Sequence, residues 1–300
     1  MDLSVVVPTL NGREQLAATL ESLSANAPDA EVIVVNGPST DGTTGMVRER
    51  DDVDSLVEIA DRSVNAARNV GIEYASGDAI ILLNQGLSLT GSWLDALESG
   101  FQRAPVVTGP THRPVRAGKT TEDAETRTIS GRSITYVNPG NLAVTRKLID
   151  DLDGFDEYLA VGGARDLSHR IAGMDRDVTF ERRMAVEELV GADGGSPDAD
   201  WGWKYRSLAY RLAKNYGARP SIVGRLGRHA VGDALDTFRD LLDGERRASA
   251  WLGSGRDVLV GVATGFKDGL VARARDRTPR RNPHGRSVNR NRVVADYDAR

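Results

Sequence analysis

The sequence predicts an α/β fold: a mixed, mostly parallel sheet flanked by helices, with a C-terminal helical extension. Three observations predict it. Short, continuous, largely β-branched runs recur at Val5-Val6-Val7, Val32-Ile33-Val34-Val35 and Ala79 to Leu83, as strands buried on both faces require. Helix signals lie between these runs. Polar loops follow the strands, which gathers those loops at the carboxyl edge of a doubly wound sheet, where such sheets bind ligands.

The elements follow in order. Leu3 to Asn11 reads as the first strand and its loop. Leu16, Leu20 and Leu23 recur at i, i+4 and i+7, a helix with one apolar stripe. After the second strand, Asp41-Gly42-Thr43-Thr44 turns into a helix near Thr44 to Arg50, with Asp41 read as turn-former and cap. Val57-Glu58-Ile59 fits a third strand, Ala66 to Tyr74 a helix ended by Ser76-Gly77, and Ala79 to Leu83 a fourth strand running into Asn84-Gln85-Gly86. Val106 to Gly109 and Ile134 to Val137 predict strands around a polar loop, Arg113 to Arg132. Asn138-Pro139-Gly140-Asn141 is a turn. Helices are expected over Thr145 to Leu152 and Arg165 to Ala172, flanking Gly154-Phe155-Asp156-Glu157. The composition becomes linker-like at Asp193 to Asp198. The expected organisation is an α/β domain over 1–195, an amphipathic helical extension over 196–272, and a basic, disordered tail over 273–300. Apolar stripes such as Leu235, Phe238 and Leu242, or Leu259, Val262 and Phe266, mark the extension.

Composition narrows the chemistry. The chain has no cysteine, so neither a disulfide framework nor a thiolate metal site is available. No secretory signal opens it, and no apolar run reaches the ~18 residues of a membrane span. The four histidines lack metal-ligand spacing. The net charge of −4 is divided: residues 1–200 carry 18 basic and 33 acidic side chains, residues 201–300 carry 21 and 10. Such a basic C-terminal region suggests an anionic partner. Its amphipathic helices favour a membrane surface, and the absence of a recognition motif or stacking aromatics argues against nucleic acid. Only five of the 39 basic residues are lysine. That acid-rich, lysine-poor, cysteine-free composition resembles proteins of salt-loving archaea.

Five segments in order resemble a family 2 glycosyltransferase: Val7-Pro8-Thr9-Leu10-Asn11, Val34 to Thr43, Ala67-Arg68-Asn69-Val70-Gly71, Ala75-Ser76-Gly77-Asp78 with its strand, and Gly154-Phe155-Asp156-Glu157. The resemblance covers roughly residues 3 to 180. It implies a GT-A fold and inverting transfer of a sugar from a nucleotide-sugar donor. The composition and tail extend that expectation to a growing, lipid-linked glycan at the inner face of the cell membrane, as in cell-surface protein glycosylation of haloarchaea.

The resemblance also implies site residues. Pro8, Thr9, Asn11, Asn36, Arg68, Asn84, Gln85 and Gly86 are the expected donor contacts, with Asn141 and Arg170 on the acceptor side. The family holds Mg²⁺ or Mn²⁺ through an acidic motif after the fourth strand, to offset charge on the leaving phosphate. Neutral Asn84-Gln85-Gly86 stands there, Asn36 replaces another usual acid, and no metal ligand is assigned. For the catalytic base two alignments stay open. One makes Asp166 the base; the other puts Gly163-Ala164 at the acid pair and makes Asp166 a helix-orienting acid beside Arg170. His169, three residues on, is a further candidate base. Because three acidic sites depart together, the alternative is an inactive binding or scaffold protein on the same fold.

Overall fold

The computed structural model describes residues 1–113, 123–189, 201–228, 248–288 and 292–298, the side chains of 201 and 248–255 excepted. In chain order the elements are β1 (Leu3–Thr9), α1 (Arg13–Asn26), β2 (Glu31–Asn36), α2 (Thr43–Arg48), β3 (Ser55–Ile59), α3 (Val64–Tyr74), β4 (Ala79–Leu83), β5 (Leu87–Leu89) and α4 (Trp93–Phe101). There follow β6 (Val106–Thr108), β7 (Thr111–His112), β8 (Thr126–Ile129), β9 (Arg132–Thr135), β10 (Asn141–Thr145), α5 (Arg146–Asp151), α6 (Gly163–Gly173), β11 (Thr179–Phe180) and β12 (Val186–Glu188). The C-terminal part holds α7 (Trp201–Tyr216), helical residues 220–228 (α8), α9 (Ala248–Arg275) and β13 (Val293–Asp298).

The main sheet has eight strands in the order β11-β6-β10-β4-β1-β2-β3-β13. β4, β1, β2 and β3 are parallel. Side chains alternate across it as strand geometry dictates. Val6, Ile33 and Val35 face α3, α5 and α6, while Val5, Val7, Val32 and Val34 face α1, α2 and α4. Both faces are therefore covered, which accounts for apolar runs that do not alternate in the sequence. α3 crosses β1 closely, since a Cβ at Gly71 would lie 2.2 Å from Val6 Cγ1. The chain leaves β1 toward β2 and β3, then returns to place β4 on the other side of β1. That reversal opens a crevice between the carboxyl ends of β1 and β4.

Several features differ from the expectation. β10 begins at Asn141, where a turn into a helix was expected, and lies antiparallel between β4 and β6. Its apolar part, Leu142-Ala143-Val144, is too short to announce a strand, and pairing on both sides holds it. The described part of the supposed loop before Arg132 is the hairpin β8–β9, closed by Ser130 at φ 51° and Gly131 at φ 81°. Residues 114–122, the linker signal at 193–198, and the stripe Leu235, Phe238 and Leu242 lie outside the described residues.

The C-terminal region departs furthest. α9 meets α7 along Gly261, Gly265 and Gly269, where added Cβ atoms would stand 2.5, 2.1 and 2.4 Å from backbone oxygens of α7. Val262 and Phe266 pack beneath, but Leu259 of the expected stripe is exposed. Beyond α9 the tail is not disordered where it is described. Asn282 is buried and donates to Asp153 O at 2.9 Å, and β13 adds an antiparallel edge to β3. The arginines explain the difference: Arg286 reaches Asp150 at 2.5 Å, and Arg292 pairs with Asp61 at 3.3 Å and with Glu157. The basic end meets the acidic body of its own chain. Among the described residues no helix is long and apolar enough to cross a membrane.

Candidate active site

Two adjoining cavities occupy the crevice at the carboxyl edge of the sheet. The smaller, about 300 Å³, is lined by Pro8 and Thr9 at the end of β1, Leu10, Gly37 after β2, Asp61 to Ser63 before α3, Val64 and Ala67 of α3, Asn84 and Gln85. The larger, about 750 Å³, takes Asn65 and Arg68 from α3, Asn84 to Leu87, the Asn138-Pro139-Gly140 turn, residues 160–165 around the start of α6, and Glu188. Val64, Asn84 and Gln85 belong to both walls.

The loops are fixed from beneath. Gln85 Oε1 accepts from the Thr9 hydroxyl and from the Leu10 N–H at 3.3 Å, tying the ends of β4 and β1 together. Gly86, at φ 81°, turns the chain so that its N–H reaches Thr19 Oγ1 at 2.9 Å. Asn11 and Asn36 do not line either cavity. Asn11 accepts the Thr40 N–H at 2.9 Å and its own N–H donates to Ser39 Oγ at 2.9 Å, while fully buried Asn36 accepts from the Ser39 hydroxyl at 2.6 Å. Together they staple the loop after β2 to the loop after β1.

α3 explains the Ala-Arg-Asn-x-Gly segment. Ser63 caps the helix, and Asn65, Arg68 and Asn69 are buried polar side chains of its first two turns. Asn65 Nδ2 donates to Leu159 O at 2.7 Å. Asn69 exchanges bonds with Phe155, accepting its N–H at 2.7 Å and donating to its carbonyl at 2.9 Å, so one motif holds the other. Between them Arg68, 4 % exposed, donates through Nη2 to Asn84 Oδ1 at 3.1 Å and to Pro139 O at 3.0 Å. Among the described residues it has no carboxylate partner, and its Nε–H has no acceptor. Burial lowers its pKa to about 10, so it remains charged at neutral pH.

The acceptor-side expectations fall elsewhere. Asp166 is fully buried and lines neither cavity; Arg170 Nε and Lys214 Nζ donate to Oδ2, each at 2.8 Å, and Asn215 donates to Oδ1 at 2.9 Å. With both oxygens engaged below the site, it cannot reach an acceptor hydroxyl as a base would. Arg170 turns inward to Leu152 O at 2.8 Å and Gly154 O at 2.9 Å, supporting the Gly-Phe-Asp-Glu segment. Asn141 is buried behind β4, accepting from Trp93 Nε1 at 3.0 Å. His169 is buried between Tyr136 and Tyr216, also outside the cavities.

Sequence reasoning missed the carboxylates that do line the larger cavity: Asp123, Glu125 and Glu188. Each has an arginine partner. Asp123 pairs with Arg182, Glu125 with Arg165 at 2.8 Å, and Glu188 with Arg113 at 2.8 Å. For Glu125, burial raises the pKa but the Arg165 and Arg127 partners outweigh it, and the carboxyl is lowered. Glu188 adjoins the loop after β4, because the next residue, Leu189, donates its N–H to Gly86 O at 2.9 Å. No motif announced these residues; a β12–β5 pairing brings Glu188 opposite Leu87.

The residues do not fit a divalent cation held in the family's manner. Mg²⁺ and Mn²⁺ take oxygen ligands, carboxylates foremost. Both amide oxygens after β4 already accept from protein donors, and one of those donors is a guanidinium. Among the described residues no three His, Asp or Glu side chains group as a metal site.

Comparison with known proteins agrees with this architecture. Glycosyltransferase AglE of Haloferax volcanii is 28% identical over 210 residues, 65% of this chain and 67% of that protein. The S. aureus TarS 1-349 structure in complex with UDP-GlcNAc superposes with a TM-score of 0.63 at 18% identity, covering 92% of this chain and 85% of that one. The mannosyltransferase PcManGT of Pyrobaculum calidifontis, in complex with GDP-Man and Mn²⁺, gives 0.54 at 16% identity, covering 89% and 86%. These likenesses show the GT-A fold. The model of glycosyl transferase family 2 matches residues 4–163, more than half of the chain, and the chain belongs to that family.

Proposed function

We propose that this glycosyltransferase seats a nucleoside diphosphate sugar across its two cavities and passes the sugar to a glycan hydroxyl entering the larger one. The observation that carries the reading is the shared wall of Asn84 and Gln85 at the β1–β4 crevice. The smaller cavity suits a base and ribose, with Asp61 at its rim as a hydrogen-bond acceptor. The diphosphate then passes Asn84 beside Arg68, and the sugar faces the larger cavity. The acceptor oxygen attacks the anomeric carbon from the side opposite the diphosphate, so the configuration inverts. The bond to phosphate breaks, its electron pair leaves on the diphosphate, and the hydroxyl proton passes to a cavity carboxylate. Glu188 is the candidate base, because it lines the larger cavity and its strand pairs it opposite Leu87, just after the Asn84-Gln85-Gly86 loop. Asp166, in the first turn of α6, serves as a positioning acid.

The finer reading is a growing lipid-linked glycan at an anionic membrane surface, in the surface-protein glycosylation of a salt-loving archaeon. The Haloferax relative and the acid-rich composition support the source. The outward face of α9, with Leu259, Val260 and Val271 exposed beside Lys267 and Arg275, supports membrane docking. The test is a calorimetric binding screen of UDP- and GDP-sugars at low and high KCl, followed by transfer to lipid-linked oligosaccharide. One nucleotide sugar is expected to bind and to be consumed, with Glu188→Gln lowering turnover at least a hundredfold while binding persists. Full turnover by that variant would remove Glu188 from its role.

A further inference from the structure

Among the described residues Arg68 is a buried cation without an anion. A charged side chain withdrawn from water is stable only when paired or fully hydrogen-bonded. Among the described residues the groups that contact this guanidinium are neutral: Asn84 Oδ1, Pro139 O, a long 3.5 Å contact to Asn65 Oδ1, and the Phe155 ring 5.2 Å from its centre. Its Nε–H has no acceptor. Yet the residue is not sealed in the core, for it forms part of the wall of the larger cavity, next to Asn84. An anion arriving from that cavity supplies the missing charge.

The arrangement also opposes a second cation. Asn84 presents its carbonyl oxygen to Arg68 rather than to the cavity, and Gln85 presents its own to Thr9 and Leu10. A divalent ion at this place would displace both bonds and sit against a guanidinium in a site of low dielectric. The planar fork of arginine, in contrast, matches two phosphate oxygens without further ligands.

We propose that this site binds the diphosphate of its donor without a divalent metal, with the Arg68 guanidinium as the resident cation that offsets charge on the leaving phosphate. The inference rests on the nucleotide-sugar reading and specifies its electrostatics. Asn84 and Pro139 then act as positioning groups that aim the guanidinium, and Gln85 keeps the floor beneath the phosphates closed.

The experiment is isothermal titration of the full chain with UDP and with GDP, first in EDTA and then in saturating Mn²⁺, with uridine and guanosine as controls. Arg68→Met and Arg68→Lys are measured beside the wild type, with thermal unfolding to confirm folding. The expected result is a Kd in EDTA within about twofold of that in Mn²⁺. Arg68→Met should weaken the diphosphates tenfold or more while sparing the nucleosides, and Arg68→Lys should fall between, keeping charge but losing the fork. Tenfold or greater tightening by Mn²⁺, or folded Arg68→Met binding UDP and GDP as the wild type does, overturns the proposal. If Arg68→Met does not fold, the wild-type metal titration and Arg68→Lys decide it by the same criteria. Binding of neither diphosphate under any condition overturns the nucleotide-sugar reading itself, an outcome distinct from metal-dependent binding.

Discussion

His169 shows how a residue with catalytic chemistry can be placed to do none. Its Nδ1 meets the Tyr216 hydroxyl at 2.7 Å, and its Nε2 has no partner among the described residues. Burial, then the nearby charges of Arg211, Lys214, Arg165 and Arg225, push its pKa well below the ordinary 6.5, so it stays neutral in the folded protein. In the unfolded chain it takes up a proton near that value. The unfolded state therefore binds more protons once pH falls below about 6.5, and stability falls with pH there by up to ~1.4 kcal/mol per unit. Asp156 adds a later loss. Burial raises its carboxyl, but the Lys214 charge and the bonds from His284, Lys214 and Tyr210 outweigh that and hold it below its ordinary 3.8, so its contribution is lost only as pH falls below that value. Urea unfolding at pH 7.5 and 5.5 checks the first part: the wild type should be less stable at 5.5, and His169→Phe, though weaker at both, should lose most of that difference. An unchanged difference in the variant would assign the slope to other groups.

Lys214 of α7 joins two helices and a motif that the sequence leaves far apart. Its ammonium donates to Asp156 at 2.5 Å and Asp166 at 2.8 Å with all three side chains fully buried. Asp156 belongs to the Gly-Phe-Asp-Glu segment and Asp166 to α6, so the clasp fastens the helical extension to the floor of the site. Lys214→Met leaves two carboxylates short of a counter-charge and should cost about 3–5 kcal/mol, read as a lower urea midpoint with an unchanged slope. A loss under ~1 kcal/mol would mean that Arg170, Tyr210 and Asn215 suffice to hold both acids. The family resemblance invited a catalytic reading of Asp166; its place away from the cavities, beside Asp156, comes from a lysine some fifty residues downstream that no local pattern relates to either acid. Similarly, β1 to β4 and α3 were legible because each carries its own apolar period or cap. β10 and β13 were not, because a three-residue apolar run and a strand inside an arginine-rich tail become strands only through their partners, β4 with β6 and β3.

Across the described residues, part of the division of charge between body and tail is met within the chain. Arg286 and Arg292 meet Asp150, Asp61 and Glu157, and β13 covers the edge of β3 that would otherwise expose unpaired backbone. The candidate site was half legible on the same logic. Pro8 and Thr9 at the end of β1, and Asn84, Gln85 and Gly86 after β4, sit where strand order alone places them, at the β1–β4 crevice, and Arg68 reaches it from α3. Asp123, Glu125 and Glu188 reach the cavity through β8, β9 and β12, whose positions depend on pairings the sequence does not spell. The account comes together in one claim: a nucleoside diphosphate lies over Asn84 and Gln85 with its phosphates on Arg68. A crystal structure grown with UDP or GDP in EDTA tests it most directly. The predicted result is a base beside Pro8 and Thr9 and phosphate oxygens within hydrogen-bond distance of the Arg68 guanidinium; a nucleotide bound elsewhere, or with phosphates turned away from Arg68, would contradict it.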